Sequence, residues 1–138
     1  MSGPFLHRLR VRYHECDPQG VVFNGNYLTY FDLTMTELWR ELGGYQAMVD
    51  AGVDMVVAEA RILYRSPLRF DDEFEAQAEI ARLGETSMTT QILLSRDGER
   101  VVDGELRHVF IESGGNSTTP IPEQIRAGLA RYQGVQES

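Results

Sequence analysis

Three patterns in the chain predict an α+β fold, an antiparallel sheet of about five strands curled around a single long central helix. Between Tyr27 and Leu42, apolar residues recur at three- and four-residue steps, the period of a helix that buries one face. Beyond Gly52 the apolar residues alternate with polar ones instead, which is the period of strands. Short turn-forming stretches join those runs, Asp97-Gly98 being the strongest, so successive strands are expected to run antiparallel.

The first strand spans Phe5 to Tyr13, with Phe5, His7, Leu9, Val11 and Tyr13 on one side and Arg8, Arg10 and Arg12 on the other. A tight turn, Asp17-Pro18-Gln19-Gly20, and the apolar run Val21-Val22-Phe23 lead to the helix. The helix stripe comprises Tyr27, Leu28, Phe31, Met35, Leu38, Trp39 and Leu42, of which Leu38 and Trp39 are expected in the core. Asn24 and Asn26 are candidate N-caps, since a short amide side chain can accept from the free N–H groups of the first turn. Gly43-Gly44 ends the helix where a left-handed residue is wanted. Tyr45 to Ala51 forms a short extra turn of helix, closed by Gly52.

Val53 to Arg65 is a long strand, apolar on parts of both faces, which implies that something covers its second face. Ser66-Pro67 breaks it and Asp71-Asp72 turns the chain. Glu73 to Arg82 alternates cleanly, with Phe74, Ala76, Ala78 and Ile80 inward. Thr86 to Ser95 and Arg100 to Glu112 complete the sheet on either side of Asp97-Gly98. After a Gly- and Ser-containing loop, Pro120 and Pro122 introduce a short helix from Glu123 to Tyr132. Neither a repeat nor a linker interrupts the chain, so residues 1–138 are read as one domain with its core at about 5–112 and a C-terminal loop and helix at 113–138.

A length of 138 residues suffices for an independent core. The net charge of −8 argues against a nucleic-acid partner, which calls for a basic face. No apolar run approaches the ~18 residues of a membrane span. The N-terminus lacks the basic-then-apolar order of a signal peptide, so a cytoplasmic location is expected. Cys16 is the one cysteine, which rules out an intramolecular disulfide. His14-Glu15-Cys16-Asp17 has the composition of a metal or Cys–His cluster, but neighbours in extended chain point to opposite sides. No metal is expected there. His108 reads as an ordinary strand histidine, Glu59 and Glu73 as partners in cross-strand ion pairs, and Glu37 and Glu41 as solvent-facing helix residues.

The series Asp17-Pro18-x-Gly20-Val21-Val22-Phe23-x-x-Asn26-Tyr27, followed by a long helix, resembles the signature of the 4-hydroxybenzoyl-CoA thioesterase family of hotdog-fold proteins. Tyr64-Arg65-Ser66-Pro67-Leu68-Arg69-Phe70-Asp71-Asp72 is similar to that family's Y-x-x-P-x-R-x-x-D segment, and the element order matches over roughly residues 5–112. The resemblance implies a hotdog fold and hydrolysis of an acyl-CoA or acyl-carrier-protein thioester. It also implies a homodimer or homotetramer formed by joining sheets edge to edge, with the pantetheine arm in a tunnel between subunits. By position, Asp17 matches the catalytic carboxylate, and backbone N–H groups at Asn24 and Gly25 would polarise the carbonyl. Val22, Phe23, Asn26, Tyr27, Arg65, Pro67 and Arg69 match substrate-contacting segments. No cofactor is implied, because coenzyme A is part of the substrate.

The chemistry suits that assignment. Thioester hydrolysis needs an attacking group and donors for the oxyanion, and a helix N-terminus supplies such donors. Asp17 can serve as nucleophile through a mixed anhydride or as general base for water. Two departures stand out. Asn24 replaces the His or Tyr of many relatives and cannot take a proton near neutral pH. Leu83-Gly84-Glu85-Thr86 stands where some relatives carry a basic cluster, which leaves room for a carrier-protein donor. A hotdog dehydratase or hydratase would call for a His with the carboxylate, and none lies between Asp17 and the helix. A non-catalytic acyl-CoA binding module would have no need of Asp17.

Overall fold

A computed structural model describes residues 3–134 of the chain. Strand β1 (Phe5–Arg10) and a 3-10 turn (Tyr13–Glu15) precede helices α1 (Asn26–Glu41) and α2 (Gly44–Asp50). Strands β2 (Val53–Tyr64), β3 (Glu73–Leu83), β4 (Ser87–Arg96) and β5 (Glu99–Glu112) follow, then helix α3 (Glu123–Leu129). All five strands form one antiparallel sheet in the order β1-β3-β4-β5-β2, so β1 and β2 are its edges. The antiparallel sheet matches the expectation. The 16-residue α1 is accompanied by two helices of 7 residues each, at the places where the sequence reading put a short extra turn and a terminal helix.

Helix α1 buries Tyr27, Tyr30, Phe31, Thr34, Met35 and Leu38. Leu38 is in the core as expected, but the stripe is rotated from the one read in the sequence. Leu28 is 45% exposed and Trp39 only half-buried, while Tyr30 and Thr34 lie inside. At 3.6 residues per turn, Leu28 and Trp39 sit roughly 100–120° round from Tyr27, whereas Thr34 is about 20° away. The buried Thr34 hydroxyl is satisfied by donating to the Tyr30 carbonyl at 2.8 Å.

The partner surface of α1 is the sheet, and one position on it sets the distance. A Cβ on Gly104 of β5 would lie 2.3 Å from Cζ of Phe31, whose side chain is fully buried. Only a residue without a side chain lets the aromatic ring rest on the strand. On β3, Phe74, Ala76, Ala78 and Ile80 are buried in the alternation expected. The β4–β5 hairpin turns at Asp97 (φ 53°) and Gly98 (φ 79°), both left-handed, as a two-residue type I′ turn requires. Gly43 is left-handed as expected.

Other expectations need correction. Strand β1 ends at Arg10, and Tyr13 is 80% exposed within the 3-10 turn. The strand cannot continue because the chain closes on itself, Glu15 N–H donating to Arg12 O and Cys16 N–H to Tyr13 O. His108 is buried under the sheet's inner face, and desolvation holds its pKa below the ordinary value. Glu73 pairs with Arg10 across β1 and β3 as read, but Glu59 pairs with Arg61 on its own strand. Among the described residues β5 is the one strand that pairs with β2, and Val56, Val57, Leu63 and Tyr64 remain about half-exposed. The cover expected for its second face is not supplied from within one chain.

Gly104→Ala should therefore lower stability by about 1–3 kcal/mol, the scale of overpacking a filled core. The denaturant midpoint measures it. Adding Phe31→Leu should recover part of the loss, because the two positions share one contact. An additive double variant would break the link.

Candidate active site

The Asp17 turn is a small hairpin. Cys16 and Val22 form an antiparallel bridge, Asp17 N–H donates to Val21 O at 2.8 Å, and Gly20 N–H donates to Asp17 O at 2.9 Å. Asp, Pro and Gly suit their places in it: Pro18 presets φ at the second position, and Gly20 takes φ 81°. Asp17 Oδ1 accepts from Gln19 N–H at 2.8 Å, so the residue does form an Asx turn. Its Oδ2 has no hydrogen-bond partner among the described residues.

The helix start differs from the expected asparagine cap. The cap residue is Gly25, with helix-like φ −66° and ψ −23° and no side-chain cap. Asn26 is already the first helical residue, and its amide nitrogen donates to Glu15 O at 2.8 Å. An asparagine cap needs an extended backbone, but here a tight turn enters the helix. Asn26 N–H donates to Phe23 O at 2.9 Å and Tyr27 N–H to Asn24 O at 3.4 Å. Those bonds use up the next two amides. Among the described residues, the N–H groups of Asn24 and Gly25 have no acceptor, and both residues are exposed.

Glu15 ties the two pieces together. Its backbone oxygen accepts from Phe23 N–H at 3.0 Å as well as from Asn26. Its carboxylate oxygen Oε1 accepts from Tyr30 O–H at 2.9 Å and Arg12 N–H at 2.6 Å. Burial, then the hydrogen bond that Tyr30 donates to Glu15 and the charge of that carboxylate, push the Tyr30 phenol well above its ordinary pKa, so it stays a donor. Neither residue figured in the expected site. The signal available in sequence was Tyr30 itself: a phenol inside a helix stripe must find a partner for its hydroxyl.

A third segment packs on the turn. Val22 N–H donates to Leu68 O at 2.8 Å, Val21 and Arg69 form a bridge, and Leu68 N–H donates to Tyr27 Oη at 3.2 Å. Tyr64 O–H donates to Asn24 O at 3.1 Å. The structure thus gathers Asp17, Val22, Phe23, Asn24, Gly25, Asn26, Tyr27 and the Arg69 backbone in one place. Val22 and Tyr27 are buried within the chain, while Phe23, Pro67 and Arg69 are exposed. Arg65 turns the other way and holds Asp103 with two bonds of 3.0 and 2.7 Å, which keep that carboxyl below its usual range.

Burial pushes the Cys16 thiol up, and the carboxylates of Glu15, Asp17 and Asp72 add to it. A protonated thiol is a poor nucleophile. Among the described residues, no three His, Cys, Asp or Glu side chains converge to hold a metal ion. A cleft of about 630 Å³ between β1 and α1 reaches Arg12, Glu15, Tyr30 and Leu33. Another of about 480 Å³ lies over β1, β3 and the Asp97-Gly98 turn. Asp17, Asn24 and Gly25 line neither; Asn24 and Gly25 are exposed and Asp17 is half-buried.

Comparison with known proteins points the same way. The sequence profile of the Thioesterase superfamily matches residues 19–102, starting two positions after Asp17. A Bacillus subtilis (strain 168) protein, named provisionally as the acyl-CoA thioesterase YneP, is 35% identical over 129 residues, covering 93% of this chain and 83% of that one. The acyl-CoA thioester hydrolase YbgC of Escherichia coli O6:H1 is 28% identical over 125 residues, covering 89% and 93%. A hypothetical protein of Aquifex aeolicus, known from its crystal structure, superposes with a TM-score of 0.85 at 30% identity, over 91% of this chain and 99% of that one.

Tyr30→Phe deletes the O–H that Glu15 accepts while leaving the ring in place. A hydrogen bond to a charged group contributes about 1.5–3 kcal/mol, and the unfolding free energy from denaturant titration should fall by that amount. Glu15→Ala, which also frees Arg12 N–H, should cost more. Equal stability of Tyr30→Phe and the parent would mean that this bond holds nothing.

Proposed function

The chain belongs to the Thioesterase superfamily, and from that premise we propose that it hydrolyses acyl-CoA thioesters to free acid and thiol at the Asp17 turn. One observation carries the reading. A carboxylate with one oxygen held by its own turn and the other free lies on a hairpin that Glu15 ties to the entry of α1, where the N–H groups of Asn24 and Gly25, just ahead of the helix, lack acceptors among the described residues. The Asn24 and Gly25 N–H groups would donate to the thioester oxygen and hold the negative charge that develops on it. Asp17 Oδ2 then attacks the carbonyl carbon, expelling the thiolate and leaving a mixed anhydride that water opens. In the other route Asp17 removes a proton from the water that attacks directly. Both end in the same products and require no cofactor.

Within the superfamily, the Asp17-x-x-Gly20 and Asn26-Tyr27 pattern supports placement with the 4-hydroxybenzoyl-CoA thioesterases. Phe23, Asn26, Pro67 and Arg69 stand at the mouth of the site in this reading, with buried Val22 and Tyr27 shaping its wall. Arg65 acts through Asp103 rather than on substrate. The half-exposed apolar edge of β2 supports a homodimer in which two copies join along that strand, because an uncovered edge of this length invites association. Such a partner would also wall in a site that a single chain leaves open.

Asp17→Asn preserves the acceptor for Gln19 N–H and removes the charge. Turnover of an acyl-CoA panel, followed by thiol release, should fall by about 10²–10⁴ or more. Asn24→Ala keeps the backbone donor, so its effect should be much smaller. Near-full turnover by Asp17→Asn would displace the carboxylate mechanism in favour of a binding module.

Sedimentation at micromolar concentration should show a dimer or larger assembly. A charge placed on the edge, Val57→Asp, should shift it toward monomer and lower kcat/KM. A folded monomeric parent with full activity would rule out the shared site.

A further inference from the structure

Three arginines at strand ends and in the connections of the sheet are committed to carboxylates. Arg10 pairs with Asp71 and Glu73, Arg65 with Asp103, and Arg96 with Asp72 at 2.9 Å. Arg69 differs from them. It lies in the same stretch, its side chain is exposed, and among the described residues its guanidinium has no hydrogen bond or ion pair. Only its backbone is held, by Asp72 on one side and Val21 on the other. Arg12 is likewise exposed and without an ion pair among the described residues. In a chain of net charge −8, two uncommitted cations beside the Asp17 turn are conspicuous.

Next to them stands an aromatic pair facing solvent. Tyr13 and Phe70 meet edge to face with ring centroids 5.6 Å apart, yet they are 80% and 52% exposed. The backbone explains why they are side by side. Val11 N–H donates to Asp72 O and Asp71 N–H to Val11 O, so the strand pairing of β1 and β3 runs on past their ends. Arg12-Tyr13 therefore lies opposite Arg69-Phe70, and Arg69 is bridged to Val21 on the far arm of the Asp17 hairpin. Aromatic faces that project into water beside free guanidinium groups are the combination that binds a nucleobase and its phosphates.

Resting on the acyl-CoA reading above, we propose that Tyr13, Phe70 and Arg69 form the subsite for the 3′-phosphorylated ADP end of coenzyme A, with Arg12 adding positive potential. The adenine stacks on the aromatic pair and the phosphates lie against Arg69. The subsite also answers a gap in the sequence, since residues 83–86 carry no basic side chain to hold the nucleotide. A carrier-protein thioester has the pantetheine phosphate but no adenine, so the aromatic pair selects coenzyme A.

The test compares acyl-CoA with the matching acyl-pantetheine, which lacks the nucleotide, in the parent, Tyr13→Ala and Arg69→Ala. Binding of adenosine 3′,5′-bisphosphate is titrated in parallel without turnover. The parent should prefer acyl-CoA and bind the bisphosphate. Each variant should lose that preference by about five- to a hundredfold, mostly through KM, and bind the bisphosphate correspondingly weakly. Thermal melting should be unchanged, since both side chains are exposed. Loss in Arg69→Ala alone would contradict the adenine platform and favour a phosphate-only carrier. An unchanged preference in both variants, or a parent that hydrolyses both thioesters equally and binds no bisphosphate, overturns the subsite and leaves the hydrolase standing. A parent that binds the bisphosphate but cleaves no thioester sinks the hydrolase reading and leaves the subsite.

Discussion

The contact between Phe31 and Gly104 decides how deeply α1 seats on the sheet. Any side chain at Gly104 would occupy the space of the phenyl ring, so the helix would have to lift. Everything at the head of α1 inherits that depth. Tyr27 and Tyr30 are within one turn of Phe31, and their hydroxyls are the anchors for Leu68 and Glu15. A helix seated higher would pull both anchors off the loops they hold.

The site is built outward from those anchors. Tyr30 fixes Glu15, and Glu15 fixes both the entry to the helix and, two residues on, the Asp17 hairpin. Tyr27 and Tyr64 fasten the segment around Leu68 to the same helix start. The consequence is preorganisation. The amides of Asn24 and Gly25 are held in place by a turn rather than capped by a side chain, so they can meet a developing negative charge without first giving up a partner. An asparagine cap in the usual geometry would instead accept from N–H groups two or three residues further on, inside the helix.

The two edges of the sheet are treated differently. Beyond β1 the edge is laced by the Arg10 ion pairs and by the backbone bonds that carry Val11 to Asp72. Along β2 an ion pair joins Glu59 to Arg61 of the same strand, and valine, leucine and tyrosine are about half-exposed. Exposed surface ion pairs contribute little stability, so the value of the Arg10 pairs lies more in discouraging edge-to-edge pairing there.

Much of this could be read along the chain, because it depends on residues a few positions apart. The alternation of β3, the left-handed Asp97-Gly98 turn, the Asp17-Pro18-x-Gly20 hairpin and the burial of Leu38 follow from local backbone preference and periodicity. The residues of the candidate site were legible too, through the resemblance of their spacing to a thioesterase signature. Tertiary structure decided what local rules leave open. It rotated the helix stripe so that Tyr30 and Thr34 went in while Leu28 stayed out. It moved the cap from asparagine to Gly25, and it turned Arg65 toward Asp103. It also made Glu15 the centre of the site. In each case the deciding atom lies far along the chain: Glu15 is 15 residues from Tyr30, Asp103 is 38 from Arg65, and Leu68 is 41 from Tyr27. Periodicity tells which face of an element is apolar. Which polar group on that face finds a partner is settled only when the sheet has closed against the helix.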